Sequence, residues 1–308
     1  MHAPLSRSGL IWLAVVVGAW GLTWPVSKLI LASVPPLWTV AFRSAIGAAA
    51  MLAIGLAAGR LTAPPRADVP VLAGIALLHM VGFGLLASVG LALVPTGRSV
   101  VLAYTTPLWV APGAGLFLGE RLTARRALGV VIGLLGLLSL FNPLAFDWTA
   151  RAAVLGNLAI LAAALLWAAS ILQIRGHRWQ STPLDVLPWS LALATLVTGL
   201  VALAVEGVPR VAWSGRLVAL LLYAGVPGTA IAYWAAAMAS RALPAVTTSL
   251  GLLATPVVSV VLATLWLGEP LTLSLVAAIV LILGGVAIGA TARDQPLASE
   301  RASPPSMK

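Results

Sequence analysis

The stretch TTPLWVAPGAGLFLGERLT, residues 105–123, returns 149 positions later as ATPVVSVVLATLWLGEPLT, residues 254–272. Laid together without a gap, nine of nineteen positions agree, among them Thr106/Thr255, Pro107/Pro256, Gly119/Gly268, Glu120/Glu269 and Thr123/Thr272. An apolar composition alone would not align such residues, so the chain is two copies of one unit. The repeat reaches further: Pro95 falls on Pro244 at the same shift, and at a shift of 147 Trp20 falls on Trp167 and Pro36 on Pro183.

Apolar runs of about 20 residues cross roughly 30 Å of hydrocarbon as a helix. Such runs lie at about 10–31, 38–58, 70–93, 98–118, 125–141, 152–174, 184–205, 216–239, 245–267 and 271–291. Ten is the count that fits best, with nine as the alternative, because the fifth run is short and the junctions after the fourth and ninth are tight. Five spans per copy is an odd number, so the second copy enters the membrane in the opposite sense. The expected fold is all-α and transmembrane, ten helices as two inverted five-helix repeats around a central cavity. The expected units are an N-terminal segment 1–9, repeats 10–145 and 146–291, and a disordered cytoplasmic tail 292–308, polar and mixed in charge.

Composition agrees: 61% of the 308 residues are hydrophobic and only 8% charged, which is not a soluble composition. A formal charge of +10 would suggest nucleic acid as the partner of a soluble protein. Here the basic residues sit singly at the ends of apolar runs, as topology signals facing anionic lipid do. With a cytoplasmic N-terminus, twelve Lys and Arg fall on the inside and five on the outside, so both termini are expected in the cytoplasm of a multi-pass inner-membrane protein. The first run is too long for the core of a cleaved signal peptide and reads as a retained span. Cys is absent, which removes disulfide, thiolate-metal and Cys chemistry.

The acids Asp68, Asp147, Asp185, Glu206, Asp294 and Glu300 lie in connections, at span ends or in the tail. No carboxylate is thus expected at mid-membrane, where coupled pumps place their proton or Na⁺ carriers. Glu120 and Glu269 close their spans on opposite membrane faces and are expected to accept backbone N–H groups at the start of the following helix. His79, near the centre of the third span, is the intramembrane titratable group, with an unperturbed pKa of about 6.5. Arg43, six residues into the second span, either snorkels to the interface, the preferred reading, or points at a polar path.

Pro107 and Pro256 each remove a backbone donor near the middle of a span and follow a Thr. As a symmetric pair they are expected to bend helices around a central space, and Pro25 to do the same in the first span. Trp12, Trp38, Trp148, Trp179, Trp213 and Trp266 lie near span ends, where interfacial belts explain them. Trp20, Trp109, Trp167, Tyr104, Tyr233 and Trp234 lie deeper and, with Phe83 and His79, could line an aromatic chamber for flat apolar groups and cations. Ser170, Thr106 and Thr255 are expected to bind polar ends of a substrate there. Gly129/Gly133 and Gly285/Gly289 have the spacing of close helix packing, inside the monomer or at a dimer face; Gly55/Gly59 repeats the pattern.

The doubled Pro-x₁₁-Gly-Glu-x-Leu-Thr at 107–123 and 256–272, with Trp20 and Trp167 in matching first helices, resembles the drug/metabolite transporter superfamily in its ten-helix branch with two EamA-type repeats. Length and the Trp-rich interior look like the YddG-type bacterial amino-acid exporters. The resemblance implies a basket around a cavity lined mainly by spans 1, 3, 4, 6, 8 and 9. It also implies alternating-access export of amino acids, aromatic and other neutral ones, as small-molecule substrates, without cofactor, metal or nucleic acid. The alternative is export of cationic drugs or other small metabolites, proton-coupled or not. The first helices lack the Glu by which small multidrug-resistance relatives couple to protons, so a gradient-driven facilitator, more readily monomeric than dimeric, is the expectation. An enzyme would need Gly-x-Ser-x-Gly, His-Glu-x-x-His or paired intramembrane Asp, and the sequence contains none.

Overall fold

The computed structural model describes residues 6–119, 122–140, 149–243 and 245–290. Glu120, Asp147, Trp148, Pro244 and the tail 292–308 therefore lie outside the described residues, as do residues 1–5 of the N-terminal segment. Among the described residues all regular structure is helical, as hydrocarbon requires of a chain that must pair its backbone groups within each segment.

In chain order the spans are α1 Arg7–Leu31, α2 Pro36–Ala57, α3 Val69–Leu93, α4 Thr96–Leu118, α5 Ala124–Leu140, α6 Arg151–Gly176, α7 Pro183–Glu206, α8 Gly215–Ala242, α9 in two pieces, Ala245–Leu252 and Ala254–Leu267, and α10 Leu273–Ala290. Eight are long and apolar enough to cross a membrane unaided; α5 and the broken α9 complete the ten. The inversion is visible in the packing: α1 lies against α8 and α9, α6 against α3 and α4, α2 against α7, and α5 against α10. Each repeat's first helix is thus clasped by the third and fourth helices of the other, around the shared interior.

The doubled motif proves to be a helix stop followed by a helix start. Gly119 and Gly268 adopt left-handed φ of 69° and 67° at the ends of α4 and α9, where any Cβ would be strained. Thr123 then caps α5 through the Arg126 amide and Thr272 caps α10 through the Leu275 amide. This corrects the role expected of Glu269. Its carboxylate accepts the Thr96 and Gly97 amides at 2.7 and 2.9 Å and so caps α4, because Thr272 already occupies the start of the following helix. Glu206, at the end of α7, does the same for α2 through the Leu37 and Trp38 amides.

Gly129 and Gly285 meet in the α5–α10 contact, where a Cβ on Gly129 would come within 2.4 Å of the Gly285 carbonyl oxygen. The small-residue pairs therefore pack inside the monomer. Gly59 has another job: at φ 63° it terminates α2 rather than packing.

Candidate functional site

The proline pair lies beside matched breaks. α4 is interrupted at Tyr104 and Thr105, and α9 at Leu253, one turn before Pro107 and Pro256. Pro107 cannot bond the Ala103 carbonyl, and a hydroxyl meets it: Thr106 lies in donor range of the Ala103 and Ala164 carbonyls, 2.8 and 3.2 Å, while Thr105 donates to the Leu102 carbonyl. A second matched irregularity lies in α3 and α8, which widen to π-helix over Ile75–Phe83 and Val226–Ile231. His79 and its repeat equivalent Gly228, 149 residues on, both sit in these stretches and both line the central cavity. π-Segments inside α-helices commonly mark functional sites.

The cavity is lined from α1, α2, α3, α4, α6 and α8. Against expectation α9 contributes no lining residue while α2 supplies Thr39, Val40 and Arg43. Of the residues anticipated from sequence, Trp20, His79, Phe83, Tyr104, Trp167 and Tyr233 are brought together here. Trp167 is the hub. Its ring stacks on His79 at 5.1 Å and 17°, and meets Trp20 (6.2 Å, 87°), Tyr104 (5.6 Å, 88°) and Phe83 (5.2 Å, 59°). Tyr233 stands edge-on to both Trp20 and His79. Edge and offset geometries of this kind suit ring quadrupoles.

Five anticipated residues do not reach the cavity wall. Thr106 is buried against backbone carbonyls, Trp109 bonds back to the Thr105 hydroxyl, and Trp234 packs on Trp12 at 5.5 Å. Ser170 is fully buried with its hydroxyl unpartnered. Thr255 is equally buried, without a bond of good geometry, its polar neighbour being the Tyr104 hydroxyl. The prolines shape the wall rather than form it, and Pro25 is buried inside α1.

Arg43 turns inward instead of snorkelling. It lines the cavity, its Nε is buried without a partner, and no hydrogen bond or ion pair to it occurs among the described residues. Sequence reading also missed Trp24, edge-on to Phe83 at 6.5 Å, and the hydroxyl-bearing Thr23, Ser27, Thr39 and Ser88. A charge inside an apolar run with no acid beside it was the signal available for Arg43.

The cavity volume is about 70 Å³, space for a few waters. It runs from the aromatic cluster toward the ends of α1 and α3 that carry Ser27 and Leu91. At that mouth Lys28 donates to the Leu91 and Val94 carbonyls, 2.6 and 2.9 Å, satisfying the C-terminal end of α3. On the other side of Trp20 the way is filled by Leu13, Val16, Ala235, Ala239 and Leu243. Beyond it Asp68, at the start of α3, binds His177 Nε2 (2.7 Å), the Ser181 hydroxyl and the Gln180 amide, a tie between the two repeats. The hydrogen bond from His177, then that from Ser181, hold the Asp68 carboxyl below its ordinary value.

An inverted pair of helix bundles around a one-sided, aromatic mid-membrane cavity defines a carrier type of membrane protein. The EamA-like transporter family pattern matches the chain twice, over residues 7–142 and 154–290, and the chain belongs to that family. It is 26% identical to the uncharacterized transporter YoaV of Bacillus subtilis, over 87% of this chain and 91% of that one. It is 29% identical to a probable amino-acid metabolite efflux pump of Salmonella typhimurium, over 92% and 94%. A riboflavin transporter of Rhizobium johnstonii is 34% identical over 51% of this chain and 49% of its own. A crystallised protein superposes with a TM-score of 0.65 at 26% identity, covering 94% of this chain and 99% of its own. The chain is a multi-pass membrane transporter for a small molecule.

Proposed function

We propose that this transporter exports amino acids, aromatic and other neutral ones first, by alternating access of its two repeats. The observation that carries the reading is the ring cluster around Trp167 at the repeat interface, built from symmetry-related Trp20 and Trp167, which offers flat faces to an aromatic side chain. A relative over nearly the whole length is a probable amino-acid metabolite efflux pump, which supports the same class. A cavity of about 70 Å³ is smaller than such a substrate, so the rings must part as the repeats rock. The matched breaks in α4 and α9 and the π-segments in α3 and α8 are where backbone can yield.

The balance of basic residues places both termini in the cytoplasm of the inner membrane. In that orientation the mouth beside Ser27 and Leu91 faces outward and the apolar plug around Leu13 closes the inside. With Gly129 and Gly285 already engaged within one chain, the protein works as a monomer. Among the described residues no carboxylate lines the cavity, and transport on this reading follows the substrate gradient. Reconstituted vesicles loaded with labelled Phe or Thr test the reading: efflux equal to that of protein-free liposomes for every amino acid tried would overturn it. Efflux that collapses on adding a protonophore at a fixed substrate gradient would overturn the facilitator mechanism alone.

A second reading is riboflavin transport, favoured because two relatives sharing about half of this chain's length are riboflavin transporters and the isoalloxazine is itself a flat ring. Labelled riboflavin in the same vesicles separates the two.

A further inference from the structure

Arg43 is a cation placed where hydrocarbon depth makes an unpaired charge costly, yet among the described residues no hydrogen bond or ion pair answers it. Its Nε is buried without a partner, and among the described residues no Asp or Glu lines the cavity it faces. The four acids among the described residues are all committed elsewhere. Asp68 is held by His177, Ser181 and Gln180; Asp185 by Thr182, with Arg60 at 3.9 Å; Glu206 by the amides that start α2; Glu269 by those that start α4.

The fold does not require an arginine there. At the shift of 147 that relates the first two helices of the repeats, position 43 falls on Ser190, a buried hydroxyl near the Leu72 carbonyl. One repeat carries a guanidinium and its twin carries a small polar group in the same backbone setting. The charge is therefore an addition to one wall of the cavity, whose lining also includes the His79 and Tyr233 rings.

We infer that Arg43 is the receptor for a carboxylate on the transported molecule, so that the substrate is an aromatic or apolar body bearing a carboxylate group, held with its acid at Arg43 and its body against Trp167. A guanidinium presents a planar fork that matches a carboxylate bidentately, and a substrate that supplies the missing anion removes the cost of the buried charge on binding. A simple monocation meets a like charge at Arg43 and finds no acid among the described lining residues, which turns the site away from cationic drugs although the rings alone would accept them. The inference rests on the transport reading above and narrows it.

The test is binding to the intact, detergent-purified protein, followed by tryptophan fluorescence, for L-phenylalanine, L-phenylalaninamide, phenethylamine and indole-3-acetate. Wild type is expected to bind phenylalanine at least tenfold more tightly than the amide or the amine. Arg43→Gln is expected to lose at least tenfold for phenylalanine and to bind the cationic amide at least as well as wild type does, while Arg43→Lys keeps part of the preference. Equal binding of phenylalanine and its amide by wild type overturns the inference, as does undiminished phenylalanine binding by a folded Arg43→Gln. Where that variant fails to fold, the wild-type comparison of acid and amide decides alone. If indole-3-acetate binds through Arg43 while no amino acid does, the carboxylate receptor stands and the amino-acid reading falls. If amino acids are transported without regard to Arg43, the reverse holds.

Discussion

Trp20 and Trp167, residues that the repeat places in equivalent positions of the two halves, meet each other edge to face with ring centroids 6.2 Å apart and planes at 87°. The pseudo-symmetry axis therefore passes through an aromatic contact at the centre of the cavity. Any movement of one repeat against the other has to change this pair, which makes it a reporter on such movement.

Replacing either ring tests that role. Trp167→Ala is expected to lower transport more than Trp20→Ala, because Trp167 also touches His79, Phe83 and Tyr104. Each such contact is worth about 0.5–1.5 kcal/mol, so a loss of tenfold or more in efflux is expected for Trp167→Ala and a smaller one for Trp167→Phe. Vesicle efflux normalised to reconstituted protein is the measurement; an unchanged rate for Trp167→Ala would remove the ring from the site.

Glu206 and Glu269 cap α2 and α4 from the ends of other helices. Loss of a cap costs about 0.5–2 kcal/mol, so Glu206→Ala and Glu269→Ala should each lower the thermal midpoint of the solubilised protein by a few degrees. The two helix starts share no partner, so the double variant should show the sum. Glu269→Gln, which cannot accept two amides with the same charge, is expected to fall between.

The α5–α10 contact discriminates between glycines. Gly129→Ala puts a Cβ within 2.4 Å of backbone oxygen, whereas at Gly284 nothing lies within 4 Å. Overpacking of this kind costs about 1–3 kcal/mol. Gly129→Ala should therefore reduce the yield of monodisperse protein in size-exclusion chromatography, while Gly284→Ala should match wild type.

Asp68 provides a pH dependence. Its carboxyl is held below its ordinary value of 3.8 by the bonds from His177 and Ser181, so the unfolded state takes up a proton at a higher pH than the folded one. The stability it contributes is then complete above about pH 4 and is lost as the pH falls through the depressed folded value. Thermal unfolding followed from pH 7 to pH 3 should show this acid limb in wild type, and Asp68→Asn should flatten it. A limb of undiminished size in the variant would assign it to other carboxylates.

Some of this was legible before any coordinates. Transfer of apolar side chains into hydrocarbon is additive along a run, so composition and length alone located the spans, and the doubled motif with an odd span count implied the inversion. Trp20 and Trp167 were legible for the same reason, as equivalents in a repeat whose axis must pass between them. The direction of Arg43 was not. α2 is apolar on nearly every face, so no moment in its sequence says which side turns to the cavity, and only packing against α7, α8 and α3 settles its rotation. Thr106 misled in the opposite way: its place beside a proline suggested a free hydroxyl, but the carbonyls released by that same break took it.

The amides that donate to Glu269 lie 172 and 173 residues away, and no local pattern can name partners at that distance. What the residues alone determined is the membrane, a preferred count of ten crossings over nine, and the twofold plan, because these follow from transfer free energy and from self-similarity along the chain. The tertiary structure decided which side chains face the shared space: an unanswered guanidinium and a hub of rings inside, the carboxylates at the helix ends. In a bundle of helices that are apolar all round, facing is set by neighbours and not by sequence period.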